Sequence, residues 1–86
     1  MDYLITTPAQ LGLALKSARK AKELTQAAAA AKVGLLPKTI SALENHPEAC
    51  SIESLLKLLS VLDLELSLAN KAERQKANPA APHEGW

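Results

Sequence analysis

The chain has 86 residues with one Cys, one Trp, one Tyr, no Phe and a formal net charge of +1. That length holds one small domain with a core of Leu, Ile, Val and Ala, which is marginal alone and gains from oligomerisation. The lone Cys50 excludes an intrachain disulfide, and His46, His83 and Cys50 lack metal-ligand spacing, so no metal and no cofactor is implied.

The first helix is announced by Thr7 as N-cap, Pro8 at the first helical position and Gln10 three residues after the cap. Leu11, Ala14, Leu15 and Ala18 recur at helical spacing as its apolar stripe, and the helix is expected to fade near Glu23. Thr25 caps a second helix that runs through Lys32, and Gly34 supplies a residue free to take positive φ at a sharp turn. A third helix starts around Leu36 and Pro37 and ends at Asn45. Pro47 breaks the loop after it, and Ser51 caps a fourth helix whose Ile52, Leu55, Leu56, Leu59 and Leu62 are expected to face inward. Cys50 reads as a semi-buried residue before that helix.

From Leu62 to Leu68 the period changes. Leu62, Leu64, Leu66 and Leu68 alternate with Asp63, Glu65 and Ser67, which reads as a strand, with continuing helix as the alternative. A strand needs a partner for its backbone groups. The partner is either residues 3–6 (YLIT) or the same strand of a second chain, and the second choice makes a homodimer through Leu64, Leu66 and Leu68. Residues 70–86 turn polar and Ala/Pro-rich, the composition of a flexible tail, and end in Trp86.

Charge divides along the chain. Residues 1–45 carry six basic groups against three acidic ones, residues 46–69 one against four, so the N-terminal half is the candidate anion-facing surface. No apolar run reaches membrane-spanning length, and the N-terminus has no basic stretch leading into an apolar one, so a cytoplasmic protein without a membrane partner is expected. No nucleophile–base pair and no Gly-rich phosphate loop is apparent, and Cys50 has no obvious activating neighbour, so the chain does not read as an enzyme.

Two helices joined by a tight Gly turn, the second carrying Thr39, Ser41 and Asn45, describe a helix-turn-helix. Ala30 is the candidate for the crowded point where the two helices meet. The run LTQAAAAAKVGLLPKTISALEN, with TPAQL before it and LLKLLSVLDLELSL and a terminal Trp after it, resembles the HipB-type antitoxins of the Xre/Cro (lambda-repressor-like) helix-turn-helix family. The likeness covers nearly the whole chain.

That resemblance implies a mostly α fold: a lambda-repressor-like domain of four helices plus a short C-terminal strand pairing across a dimer. It implies a helix-turn-helix and dimerisation domain over residues 1–69, and a tail over 70–86. It implies double-stranded DNA as a partner, with Gln26 on a phosphate and Lys38, Thr39, Ser41 and Asn45 on or flanking the recognition helix. Arg19 and Glu44 match a salt bridge between the first and third helices, and Gly34 matches the turn. Autorepression at a palindromic operator follows from the same likeness. So does a HipA-like serine/threonine kinase toxin held inactive, with Trp86 inserted into it. A stand-alone repressor without a toxin, or an interaction scaffold that has lost DNA binding, stays open as an alternative. The departures are Ala27, Leu36, Pro37 and Ala42, where the family usually carries polar residues. Leu and Ala can touch a thymine methyl but cannot make bidentate hydrogen bonds to a purine.

Overall fold

The computed structural model describes residues 3–72, in which four α-helices follow one another: α1 (Pro8–Ala21), α2 (Gln26–Val33), α3 (Pro37–Asn45) and α4 (Ile52–Val61). A single 3₁₀ turn, Pro47–Ala49, links α3 to α4.

Local chemistry sets most of the boundaries. The Thr7 hydroxyl accepts from the Gln10 amide at 3.2 Å, and the Gln10 side-chain oxygen accepts from the Thr7 amide at 3.2 Å. This reciprocal pair satisfies two donors that a helix start leaves free. Thr25 accepts from the Ala28 amide at 3.0 Å and Ser51 from the Ser54 amide at 3.1 Å, so α2 and α4 are capped in the same way. Helix α2 ends because Gly34 adopts a left-handed conformation, φ 70°, and both Gly34 and Leu35 donate back to the Ala30 carbonyl. Glu23 and Asp63, each at φ 57°, end α1 and α4 in the same left-handed region. Lys22 donates to Asp63 at 2.6 Å, joining these two helix ends. That hydrogen bond, with the attraction of the ammonium, holds the Asp63 carboxyl below its ordinary range. The pair is exposed and adds little to stability.

The core forms where the apolar stripes of all four helices meet. Leu15, Ile40, Leu43 and Leu58 are fully buried, and Ala18, Ala29, Ala30, Leu55, Leu59 and Leu62 complete the cluster. Each buried Leu or Ile is worth about 1.5–3 kcal/mol. Ala29 and Ala30 have no accessible surface to speak of, so at these two positions only methyl groups separate α2 from its neighbours. The short side chains let the helices of the turn approach.

One expectation changes and another narrows. Helix α4 buries Leu55, Leu58, Leu59 and Leu62, whereas Ile52 is 63% exposed and Leu56 46% exposed. Leu58 had not been assigned inward. The buried set is spaced i, i+3, i+4, i+7, so it forms one continuous stripe, and Ile52 and Leu56 lie outside it. Residues 64–70 form neither helix nor strand among the described residues. Asp63 stops the helix, so continuing helix is excluded. Leu64 is half-buried against the core, Leu66 is exposed and Leu68 is 97% exposed. Residues 3–6 carry no strand either, so the intrachain partner is absent.

Candidate nucleic-acid interface

Helices α2 and α3 form the helix-turn-helix, with α1 lying across α3. Glu44 is the point where three elements converge. Arg19 Nε donates to Glu44 Oε2 at 2.6 Å and Arg19 Nη2 to Glu44 Oε1 at 3.1 Å, a bidentate pair between α1 and α3. Arg19 Nη1 donates to the Leu24 carbonyl at 2.7 Å, which fixes the turn between α1 and α2. Both residues are buried. The hydrogen bonds that Arg19 donates to Glu44 raise the Arg19 pKa; burial opposes this and the carboxylate charge supports it.

Gln26 is the first residue of α2, and its Nε2 donates to Glu44 Oε1 at 3.3 Å. An amide nitrogen has two N–H groups, so one remains for an acceptor outside the chain. The backbone amides of Gln26 and Ala27 meet no acceptor among the described residues, since Thr25 caps Ala28 and the Ala29 amide reaches the Thr25 carbonyl. Several donors therefore cluster at one helix start, with the positive end of the helix dipole behind them.

Lys38, Ser41 and Asn45 recur at i, i+3 and i+7 on α3, opposite the buried Ile40, Leu43 and Glu44. Lys38 is exposed and makes no ion pair among the described residues. Asn45 Nδ2 donates to the Ser41 carbonyl at 2.9 Å and to Ser41 Oγ at 3.3 Å, so these two residues orient one another. Thr39 is half-buried and lies less openly than Lys38. Leu36 and Pro37 stand exposed at the start of α3, Ala27 is exposed on α2, and Ala42 is half-buried. The face thus carries few groups able to hydrogen-bond.

Residues 15–68 match the family model described as "Helix-turn-helix". "Antitoxin HipB" of Escherichia coli O6:H1 (strain CFT073) is 35% identical over 77 residues, covering 90% of this chain and 79% of that protein. "Antitoxin HipB" of Escherichia coli strain K12 is 35% identical over 66 residues, covering 77% and 75%. The chain belongs to the HipB-type helix-turn-helix family. Among solved structures, a complex of a HipB variant with an O2 20mer has a TM-score of 0.78 at 34% identity, covering 83% of this chain and 99% of that one. A HipA-HipB-O2-O3 complex has a TM-score of 0.75 at 34% identity, covering 79% and 96%. Membership makes this a lambda-repressor-like protein of the DNA-binding antitoxin class, and not an enzyme. No helix among the described residues is long and apolar enough to cross a membrane.

Sequence reasoning missed two parts of the site. The link from Gln26 to Glu44 joins residues 18 apart, so it is visible only once α2 and α3 are packed. Gly12 had no assigned role, yet a Cβ built there would lie 2.2 Å from the Glu44 carbonyl oxygen. An interior helix glycine that breaks the propensity rule was the available signal. Trp86 lies outside the described residues.

Proposed function

We propose that this antitoxin acts as a cytoplasmic homodimer that represses its own operon at a palindromic operator and holds a HipA-like serine/threonine kinase inactive. The observation that carries the DNA part is Gln26, anchored by Glu44 with one N–H to spare, beside the exposed Lys38 and Asn45 and the half-buried Ser41 of α3. In a helix-turn-helix protein the second helix of the motif enters the major groove, and the preceding helix meets the backbone. Gln26 and the open amides of α2 then hold a phosphate, and Lys38, Thr39, Ser41 and Asn45 supply the contacts in and beside the groove. With so few hydrogen-bonding side chains, specificity leans on phosphate positioning and on DNA deformability.

Residues 1–69 form the DNA-binding and dimerisation domain in this reading. Leu64, Leu66 and Leu68 pair across the two-fold axis, and the exposure of Leu66 and Leu68 supports a partner for them. Two recognition helices then meet half-sites about 34 Å apart. Residues 70–86 form the tail, and Trp86 anchors it in the kinase, as a buried aromatic at the centre of an interface commonly does. The likeness to a HipA-HipB complex supports this assignment.

The DNA reading is tested by binding to the duplex upstream of the protein's own gene at rising salt. Affinity is expected to fall steeply, and Lys38→Ala to flatten the log–log slope by about 0.9 per protomer. No binding to that duplex even at low salt, with no effect of Lys38→Ala, Gln26→Ala or Ser41→Ala, would leave only a scaffold. Co-purification of the kinase is expected to be lost with Trp86→Ala while operator binding persists. In sedimentation, Leu66→Lys is expected to give monomers with weak operator binding; a dimer that survives it moves the interface elsewhere.

A further inference from the structure

Leu36 stands where neither packing nor capping explains it. Helices α1, α2 and α4 are each capped by a hydroxyl, from Thr7, Thr25 and Ser51, but α3 has Leu36 as its N-cap and no side-chain hydrogen bond there. A Leu at this position gives up the cap that Ser, Thr, Asp or Asn would provide. Nor does it serve the core: Leu36 is 57% exposed and lies outside the hydrophobic cluster. Pro37, also exposed, follows it and contributes no N–H. The tip of α3 is therefore an exposed apolar pair, Leu36 and Pro37, followed in sequence by the exposed Lys38. Positions that break local rules without a structural gain mark function.

We propose that Leu36, backed by Pro37, reads the C5-methyl group of a pyrimidine in the major groove. This rests on the DNA-binding reading above, in which the first residues of α3 meet base edges. Thymine is the ordinary base that presents a methyl group there; cytosine presents an amino group and a bare C5 edge. Leu36 can bury that methyl, and it carries no donor or acceptor with which to choose among purines. The neighbouring lysine holds the backbone or a base edge while the leucine selects the methyl. 5-Methylcytosine offers the same group, so the chemistry recognised is the C5-methyl, from either base.

The test uses the full chain and a duplex enriched by it from a random-sequence pool. Each thymine is replaced in turn by deoxyuridine, which removes only the methyl. One symmetry-related pair is expected to respond, with affinity falling about fourfold per thymine and about fifteenfold for the pair. Leu36→Ala, a change at an exposed side chain, is expected to weaken the parent duplex equally and to erase its preference for thymine over deoxyuridine. At the same pair, 5-methylcytosine is expected to bind better than cytosine; if only thymine responds, recognition extends beyond the methyl and the shared-chemistry statement falls. A tightly bound duplex indifferent to every deoxyuridine overturns the inference and leaves DNA binding standing. So does a Leu36→Ala protein with the same thymine preference. If no duplex is enriched even at low salt, the DNA-binding reading itself fails, and the inference with it.

Discussion

Gly12→Ala is expected to lower stability by about 1–2 kcal/mol, although Gly to Ala inside a helix ordinarily raises it by about 1 kcal/mol. The sign reverses because of what faces the new methyl. A Cβ at Gly12 would sit 2.2 Å from the Glu44 carbonyl oxygen and 3.0 Å from its carbon, both backbone atoms that cannot rotate away. Ordinary C···O contacts lie near 3.3–3.6 Å, so α1 must retreat from α3. That retreat draws Leu15 and Ala18 from the core and stretches the ion pair of Arg19 with Glu44. For a small domain the loss is a large part of the total stability. Urea midpoints of Gly12→Ala and Gly34→Ala make the comparison. Nothing lies within 4 Å of a Cβ at Gly34, and its φ of 70° alone sets the penalty, about 1–2 kcal/mol. A Gly12→Ala protein as stable as the parent would mean that α1 and α3 do not approach this closely.

What could be read from the sequence follows the range of the interactions. Thr7, Thr25 and Ser51 act within three residues of themselves, and Gly34 within one turn, so the starts of α1, α2 and α4 and the turn of the motif were legible. The orientation of α4 was not. Its IESLLKLLSV has Glu53, Ser54, Lys57 and Ser60 on one polar face, but the apolar arc opposite is so broad that a stripe through Ile52 and Leu56 fits the pattern as well as one through Leu58. Packing against α2 and α3 chooses between them. The alternation over residues 62–68 was visible, but a strand exists only with a partner, and none lies within the described residues. At the site, the spacing pointed to a helix-turn-helix, and the residues proposed to touch DNA were named through the resemblance to its family. The support beneath them depends on backbone approach between Gly12 and Glu44 and on a side-chain link across two helices, which spacing does not encode.

Replacing Glu44 by Gln is expected to cost about 3–5 kcal/mol, although the side chain keeps its shape. Arg19 is buried, and among the described residues its guanidinium has only Glu44 and the Leu24 carbonyl as acceptors. An amide at position 44 sets an N–H₂ against a group that can only donate, and leaves a buried cation without its anion. Arginine cannot escape by losing its proton. Glu44 raises its pKa above the ordinary arginine range, so the stability linked to Arg19 is fully present across the neutral and moderately alkaline range and is lost only in strong base. Removing both charges is a different experiment. Arg19→Met with Glu44→Leu leaves no orphaned ion, and replacements of this kind are often neutral or stabilising, so stability is expected within about 1–2 kcal/mol of the parent. Yet Gln26 then loses the carboxylate that holds it. Freeing a Gln side chain that must be fixed again on a phosphate costs up to about 1.5 kcal/mol, roughly a tenfold loss of DNA affinity per protomer across all sequences. Urea unfolding and operator titration on the same three proteins separate the two roles. A double variant as unstable as Glu44→Gln alone would show that charge compensation is not what the pair supplies. A stable double variant with undiminished DNA binding would show that Gln26 finds its phosphate without Glu44.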